Sequence, residues 1–569
     1  MDPTFVQSPP SLGNTFAHDA ALRSQLRRLL PPDVHDAVET DLWHFGARAA
    51  GDVLALGEAA EAAPPRHVPY DAWGRRVDRI EVSDAWRALD RVSAEEGIVA
   101  LAYERAHGAW SRVHQLAKLY LFHPSSAVYS CPLAMTDGAA RCLALHGDGD
   151  AALAEAYRHL TSRDPATFWT SGQWMTERTG GSDVSGTSTV AQPAGDGTWR
   201  LHGVKWFTSA TTSQMALALA RTDDRTDDTL SLFHVELRDA RGMLRGIRVE
   251  RLKEKLGTRA LPTAELTLDG APARLVGEVG RGVRTVSSLL NVTRVYNAAC
   301  AAAGMRRGVM LARDYAARRI AFGRRLLAQP LHAETLAALE VETRGALALV
   351  LHVAVLLGRD ECGDATDAER AALRVLTPVA KAFTGRQAVA AASETLEAFG
   401  GAGYVEDTGL PRLLRDAQVL SIWEGTTNVL SLDVLRAMAG AKARDAALDP
   451  LLADLARRIA DTSPPLAGAA VRVRRALDTL AAHARAFADA PRDDVEAQAR
   501  RFALALGRTT IGALLVEHAE WAARVDDADA AASVAAARRW CAYDLAPLAS
   551  MDAVRRRETG SLLGIDAAL

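Results

Sequence analysis

The chain of 569 residues is 49% hydrophobic and 24% charged, a globular balance that excludes an intrinsically disordered protein and leaves room for several domains. With 67 Lys and Arg against 70 Asp and Glu the net charge is −3, which excludes a global basic field of the kind that draws a protein to nucleic acid or an anionic membrane. The five cysteines are an odd number without a CxxC pair, so a reducing, cytoplasmic setting is expected rather than a disulfide framework.

Residues 1–170 read as a mainly helical domain, broken at Pro31-Pro32 and Pro64-Pro65. The first twenty residues have neither a basic nor an apolar leader region, so no signal peptide is expected. From 171 to 278 the period changes to two. "LFHVEL" alternates Phe233, Val235 and Leu237 with His234 and Glu236; "TAELTLDG" alternates Ala264, Leu266 and Leu268 with Glu265, Thr267 and Asp269. Asp196-Gly197 marks a hairpin turn between strands. Helical spacing returns over 279–440 and again over 441–569. The longest apolar run, "GALALVLHVAVLLG" at 345–358, is too short for a bilayer crossing and carries His352, so it reads as a buried helix and no membrane span is expected. With strands confined to one block, the fold class is mainly α with a central β domain.

Several chemistries drop out on spacing. No HExxH pattern or cysteine ligand spacing supports a metal site, and no GxSxG elbow supports a serine nucleophile. Gly400, Gly401 and Gly403 miss the GxGxxG pattern and follow a helix, so they fit a helix C-terminal turn better than a Rossmann site. In "SIWEGTTNVLSLDVL" (421–435), Glu424 precedes a run with helical spacing. Taken locally, it is an acidic group at a helix start, with Thr426 or Thr427 as the N-cap.

Five segments alter that balance by recurring together: "QWMTERTGGSDVSG" (173–186), "KWFTSA" (205–210), "KLGTRALPTAELTLDG" (255–270), "ARRIAFGRRLLAQPL" (317–331) and "EAFGGAGYVEDTGLPRLLRDAQVLSIWEGTTNV" (397–429). Their order and spacing resemble the acyl-CoA dehydrogenase flavoprotein family. The extended N-terminal region with "YDAWGRRVDRIEVSDAWRAL", the "SCPLAMT" stretch and the helical segment beyond 440 are similar to its AidB-like, alkylation-response branch.

The resemblance implies an α domain, a β-barrel domain and an α bundle, with an extra C-terminal helical domain. It implies FAD as cofactor and an acyl-CoA or related thioester as substrate. Gln173, Met175, Thr176, Trp206 and Thr208 would lie along the flavin ring, and Ser182 near its pyrophosphate or the substrate. Arg319, Phe322, Gln329, Gly400 and Gly401 would reach the ADP half of a neighbouring subunit's FAD, in a homotetramer. Thr426 and Asn428 would also contact the cofactor, and Arg294 and Gly425 the substrate. Glu424 would be the base that removes the proton alpha to the thioester carbonyl, because the position matching the family's alternative base is Thr293. An electron-transfer flavoprotein is the implied electron acceptor.

Two departures stand out. Glu397 replaces the glutamine of ordinary members near the glycine turn. The AidB-like branch is associated with DNA, yet residues 441–569 hold 18 Lys and Arg against 18 Asp and Glu, a net of 18 − 18 = 0, with "RRR" at 555–557 as the best basic cluster. The alternative reading is therefore an AidB-type, flavin-containing DNA-associated protein with vestigial dehydrogenase activity.

Overall fold

The computed structural model describes residues 7–222, 229–438, 441–549 and 553–565. Helices α1 (Ala20–Leu29), α2 (Pro32–Ala50) and α3 (Asp52–Ala62) come first. A hairpin of β1 (Arg66–Tyr70) and β2 (Arg76–Glu81) follows, then α4 (Asp84–Glu95), α5 (Ala100–Glu104), α6 (Ser111–Phe122), α7 (Ser130–His146) and α8 (Ala151–Leu160). Short polar side chains set several of the starts: Asp19, Ser83 and Asp150 accept hydrogen bonds from the first-turn amides of α1, α4 and α8.

The hairpin at 66–81 corrects the expectation that strands are confined to one block. Its turn is built by the Asp71 carboxylate, which accepts from the amides of Trp73 and Arg75 at 2.9 Å each. Its inward positions on β2 are Asp78 and Ile80, and Asp78 accepts from His67, Arg76 and the Val249 amide. A buried carboxylate at an inward position removes the apolar alternation by which strands are recognised.

Strands β3 (Ser171–Trp174), β4 (Val190–Pro193), β5 (Trp199–Ser209), β6 (Met215–Thr222), β7 (Ser231–Glu236), β8 (Ile247–Leu252) and β9 (Thr263–Val276) form one sheet. The order β6-β4-β5-β9-β7 closes on itself through β6–β7 pairing, with β3 attached to β6 and β8 to β9. The β4–β5 hairpin turns at Asp196-Gly197 as expected. Phe233, Val235, Ala264, Leu266 and Leu268 fill the interior, as their alternation requires. His234 departs from the pattern: it too is buried, at 4% exposure, because this strand is covered on both faces.

Three long helices, α9 (Gly282–Arg318), α10 (Pro330–Cys362) and α11 (Asp367–Ala398), pack with α6 and α7 into the central bundle. A two-residue hairpin of β10 (Ile320–Ala321) and β11 (Arg324–Arg325) joins α9 to α10. Helix α10 is long and apolar enough to cross a membrane by length and composition, but 83% of its most apolar window is buried inside the protein, and it holds the run at 345–358 as a core helix. Helices α12 (Leu410–Leu420) and α13 (Thr427–Ala437) complete this region. Beyond them come α14 (Ala441–Arg458), α15 (Pro464–Ala486), α16 (Arg492–Arg524), α17 (Ala530–Trp540) and α18 (Ala553–Leu563).

The last group of helices is joined to the rest by buried charge. The Arg344 guanidinium on α10 makes two bonds to the Asp529 carboxylate, at 2.6 and 2.9 Å, and Asp529 also accepts from Ser533. From α1, Ser24 and Arg27 donate to Asp527 at 2.9 and 2.7 Å, and Arg28 to Glu517 at 3.0 Å. Of the basic triplet 555–557, Arg556 pairs with Asp494 on α16.

Candidate active site

Helix α12 ends at Leu420, and the chain turns before Thr426 caps α13 through the Val429 amide. Glu424 lies in that turn, not in the helix's first turn, with φ +58°, a left-handed value that a non-glycine residue adopts only when its surroundings impose it. Gly425 follows at φ +102°.

The surroundings are polar and specific. The Thr293 hydroxyl on α9 donates to the Glu424 carboxylate at 2.7 Å. Its neighbour Arg294 donates from Nε to the Glu424 carbonyl at 3.3 Å and from Nη1 to Asp433 on α13 at 2.8 Å. Asp433 is shared with Arg374 of α11. Lys381, also on α11 and wholly buried, donates to the Gly425 carbonyl at 2.5 Å. Burial lowers its pKa to about 7, against the pull of the Glu424 carboxylate.

The barrel brings a second wall to this turn. The Trp206 amide on β5 bonds the Thr176 carbonyl at 3.0 Å, which fixes the segment after β3 against the strand carrying Trp206 and Thr208. Below them Glu177 accepts from Lys205, from Ser188 and from the Thr189 amide. Burial raises the Glu177 pKa, but Lys205 and the hydroxyl hydrogen bonds outweigh it and hold it down to about 2. Trp206 lies between two cations, with Lys253 Nζ 3.5 Å and Arg178 5.3 Å from its ring centre. The Thr208 hydroxyl donates within the sheet, to the Ala264 carbonyl at 2.7 Å, so only its lone pairs face outward. Ser209 contacts Thr263, which contacts Lys255, and the buried Cys131 of α7 feels both Lys255 and Glu424. The loop after β8 also meets α12, where the Thr258 amide donates to Asp416 at 2.6 Å.

The walls fit a flat, polar-edged cofactor. Gln173 Oε1 is buried without a hydrogen-bond partner among the described residues, as a group that bonds a ligand would be, whereas Trp174, next along β3, packs inside the barrel core. Met175 is buried, Ser182 is exposed, and a Cβ at Gly181 would overlap the Thr176 side chain.

The structure does not bring the remaining expected residues to Glu424. Arg319, Phe322 and Gln329 lie at the far end of α9, and the 25 residues from Thr293 to Arg318 span about 38 Å of helix. Phe322 is 99% exposed, Gln329 donates to the Ala321 carbonyl, and Gly400 and Gly401 stand at the open end of α11, with Glu397 exposed nearby. Asn428 is exposed and accepts from Arg500 of α16 at 3.1 Å. Sequence reasoning missed Lys381, Asp433 and Arg374. A lone lysine in the apolar run "TPVAKAF" was the one signal available.

A closed barrel between two helical regions of the chain, followed by a three-helix bundle, is the architecture of one class of flavoproteins: the chain belongs to the acyl-CoA dehydrogenase family. Residues 172–271 match its middle domain and 280–439 its C-terminal domain; 7–164 match the AidB N-terminal domain and 450–564 the acyl-CoA dehydrogenase 11 C-terminal domain-like family. The chain is 45% identical over 551 residues to acyl-CoA dehydrogenase family member 11 of Caenorhabditis elegans, covering 94% of this chain and 88% of that protein. It is 35% identical to AidB of Escherichia coli (strain K12), covering 68% of this chain and 71% of that one. The crystal structure of C. elegans ACDH-11 in complex with C11-CoA superposes with a TM-score of 0.94 at 42% identity, covering 100% of this chain and 98% of that one. FAD is the cofactor of the family, and the extra C-terminal domain and fold class stand as expected.

Proposed function

We propose that the protein oxidises acyl-CoA thioesters, with Glu424 as the base that removes the proton alpha to the carbonyl. The observation that carries this reading is the Glu424 carboxylate, held at a left-handed backbone angle and hydrogen-bonded by Thr293. A carboxylate fixed by one hydroxyl keeps lone pairs free for a substrate proton. FAD, when bound, supplies the acceptor for the hydride that leaves the beta carbon. Gln173, Met175, Thr176, Trp206 and Thr208 would hold its ring, and the partnerless Gln173 oxygen supports that placement. Arg294 and Gly425 would border the thioester, and Ser182 the phosphates.

The distance along α9 supports a second subunit. Residues about 38 Å from Thr293 are out of reach of this chain's own site, so Arg319, Phe322, Gln329, Gly400 and Gly401 would serve a neighbour's cofactor in a homo-oligomer, proposed as a tetramer. The exposed Phe322 and Tyr404, at 99% and 90%, give that contact an apolar surface. An electron-transfer flavoprotein remains the proposed acceptor and the cytoplasm the proposed location. DNA is the weaker partner, since the C-terminal region is neutral and Arg556 already pairs with Asp494.

The test is Glu424→Gln, with anaerobic flavin reduction by undecanoyl-CoA as the readout. FAD content and melting temperature should hold while the rate of reduction falls by roughly 10²–10⁴-fold. A variant that reduces its flavin at the wild-type rate removes Glu424 from the reaction.

A further inference from the structure

The turn that carries Glu424 has two successive residues in the left-handed region, and only one of them is glycine. Such a backbone persists where its surroundings over-determine it. Three side chains do so: Thr293 at the carboxylate, Arg294 at the Glu424 carbonyl and Lys381 at the Gly425 carbonyl. They come from two long helices of the bundle, α9 and α11, and they differ in kind. Arg294 divides its guanidinium between the turn and Asp433. Lys381 is fully buried and spends its ammonium on the Gly425 carbonyl.

We propose that Lys381 is a positioning residue: its ammonium, reaching from α11 to the Gly425 carbonyl, holds the turn in the geometry that aims the Glu424 carboxylate, and the protonated form is the working one. The inference rests on the reading of Glu424 as the base. A lysine in an apolar helix face costs desolvation, and a hydrocarbon side chain would fill the same volume without that cost. The bond it makes is charge-assisted, shorter and stronger than a neutral amine would give to the same carbonyl.

The charges that act on Lys381 come from the elements packed around it. Glu424 on the turn favours the ammonium, and Arg294 on α9 opposes it. Asp433 on α13 is occupied by Arg294 and Arg374. No group on α14 or α16, which also pack on α11, is among the charges that move it within the described residues. Burial is the largest influence, and it places the titration at about 7, inside the working range of pH.

The experiment measures the rate and half-saturation of flavin reduction by undecanoyl-CoA between about pH 6 and pH 9.5, in wild type, Lys381→Met, Lys381→Arg and Glu424→Gln holoenzymes. The wild-type maximal rate is expected to fall on the alkaline side. Lys381→Met should lose about tenfold or more in maximal rate with half-saturation nearly unchanged, and its alkaline fall should disappear. Lys381→Arg keeps the charge, so it should recover most of the rate and move the fall upward by more than one pH unit. A lysine that merely fills the core would move the melting temperature and leave the alkaline limb where it was, which overturns the proposal. Where Lys381→Met does not accumulate as FAD-loaded protein, the Lys381→Arg limb decides alone: a shift supports the role, an unmoved limb refutes it. If Glu424→Gln is inactive while Lys381→Met matches wild type, the positioning role falls and the base assignment stands. If Glu424→Gln matches wild type, the base assignment falls first.

Discussion

Burial holds His123, His352 and His518 neutral, each with its pKa lowered to about 3. In an unfolded chain the same rings take up protons below about pH 6.5. Unfolding therefore binds protons between about pH 3 and pH 6.5, so stability rises with pH across that window and is lost as the solution is acidified. His352→Met removes one such ring from the core of α10. That variant should keep more of its neutral-pH stability at about pH 4.5 than the wild type does, by roughly 1–2 kcal/mol, and urea midpoints at the two pH values measure it. An equally steep decline would place the acid sensitivity elsewhere. These residues also show what a sequence reveals at this scale. His352 was legible as a buried group because it interrupts an apolar run, and Glu424 as the proposed base because five segments share the order and spacing of one family. Lys381 was not, since its partner is a backbone carbonyl 44 positions away, and no local pattern encodes that meeting.

Elements were legible where their burial is one-sided or their apolar content unbroken. The strand around Leu266 and Leu268 followed the alternation that a half-buried strand imposes, while the run at 345–358 was legible by its unbroken apolar content, buried on all sides. The hairpin at 66–81 escaped because one of its two buried inward positions on β2 is Asp78, and the β10–β11 hairpin because two-residue strands carry no period. Helix packing was also hidden in single atoms. At Gly358 the helix α10 comes so close to the turn at Gly108–Trp110 that an added Cβ would overlap the Ala109 carbonyl oxygen, a backbone atom with no rotamer to yield. Gly358→Ala should therefore cost about 1–3 kcal/mol or more despite the better helix propensity of alanine. A melting temperature at or above the wild-type value would show that the two elements separate freely.

For the whole molecule, the salient fact is that the C-terminal helices are fastened by buried charges to the rest of the chain. Arg344→Met leaves the Asp529 carboxylate buried with only the Ser533 hydroxyl to offset it, and the expected loss is about 3–5 kcal/mol. Calorimetry measures the loss, and limited proteolysis should cut first among α14–α18. A change within about 0.5 kcal/mol would mean that apolar packing alone secures them.

The same fastening has a consequence in time. Ser24 and Asp527 are 503 positions apart, and Arg28 and Glu517 are 489. A ribosome adding about 5–20 residues per second leaves the first helix waiting roughly 25–100 s for the carboxylates that receive it. Throughout that interval α1 has been made but the Asp527 and Glu517 carboxylates that Ser24, Arg27 and Arg28 bond do not yet exist, and its apolar side, Leu22 and Leu26, has no finished core to enter. The barrel and the central bundle can assemble as they emerge, and α1 can meet α2 and α10 early, but its bonds to Glu517 and Asp527 form only when the chain is nearly complete, so the first helix made is among the last to be fully fastened.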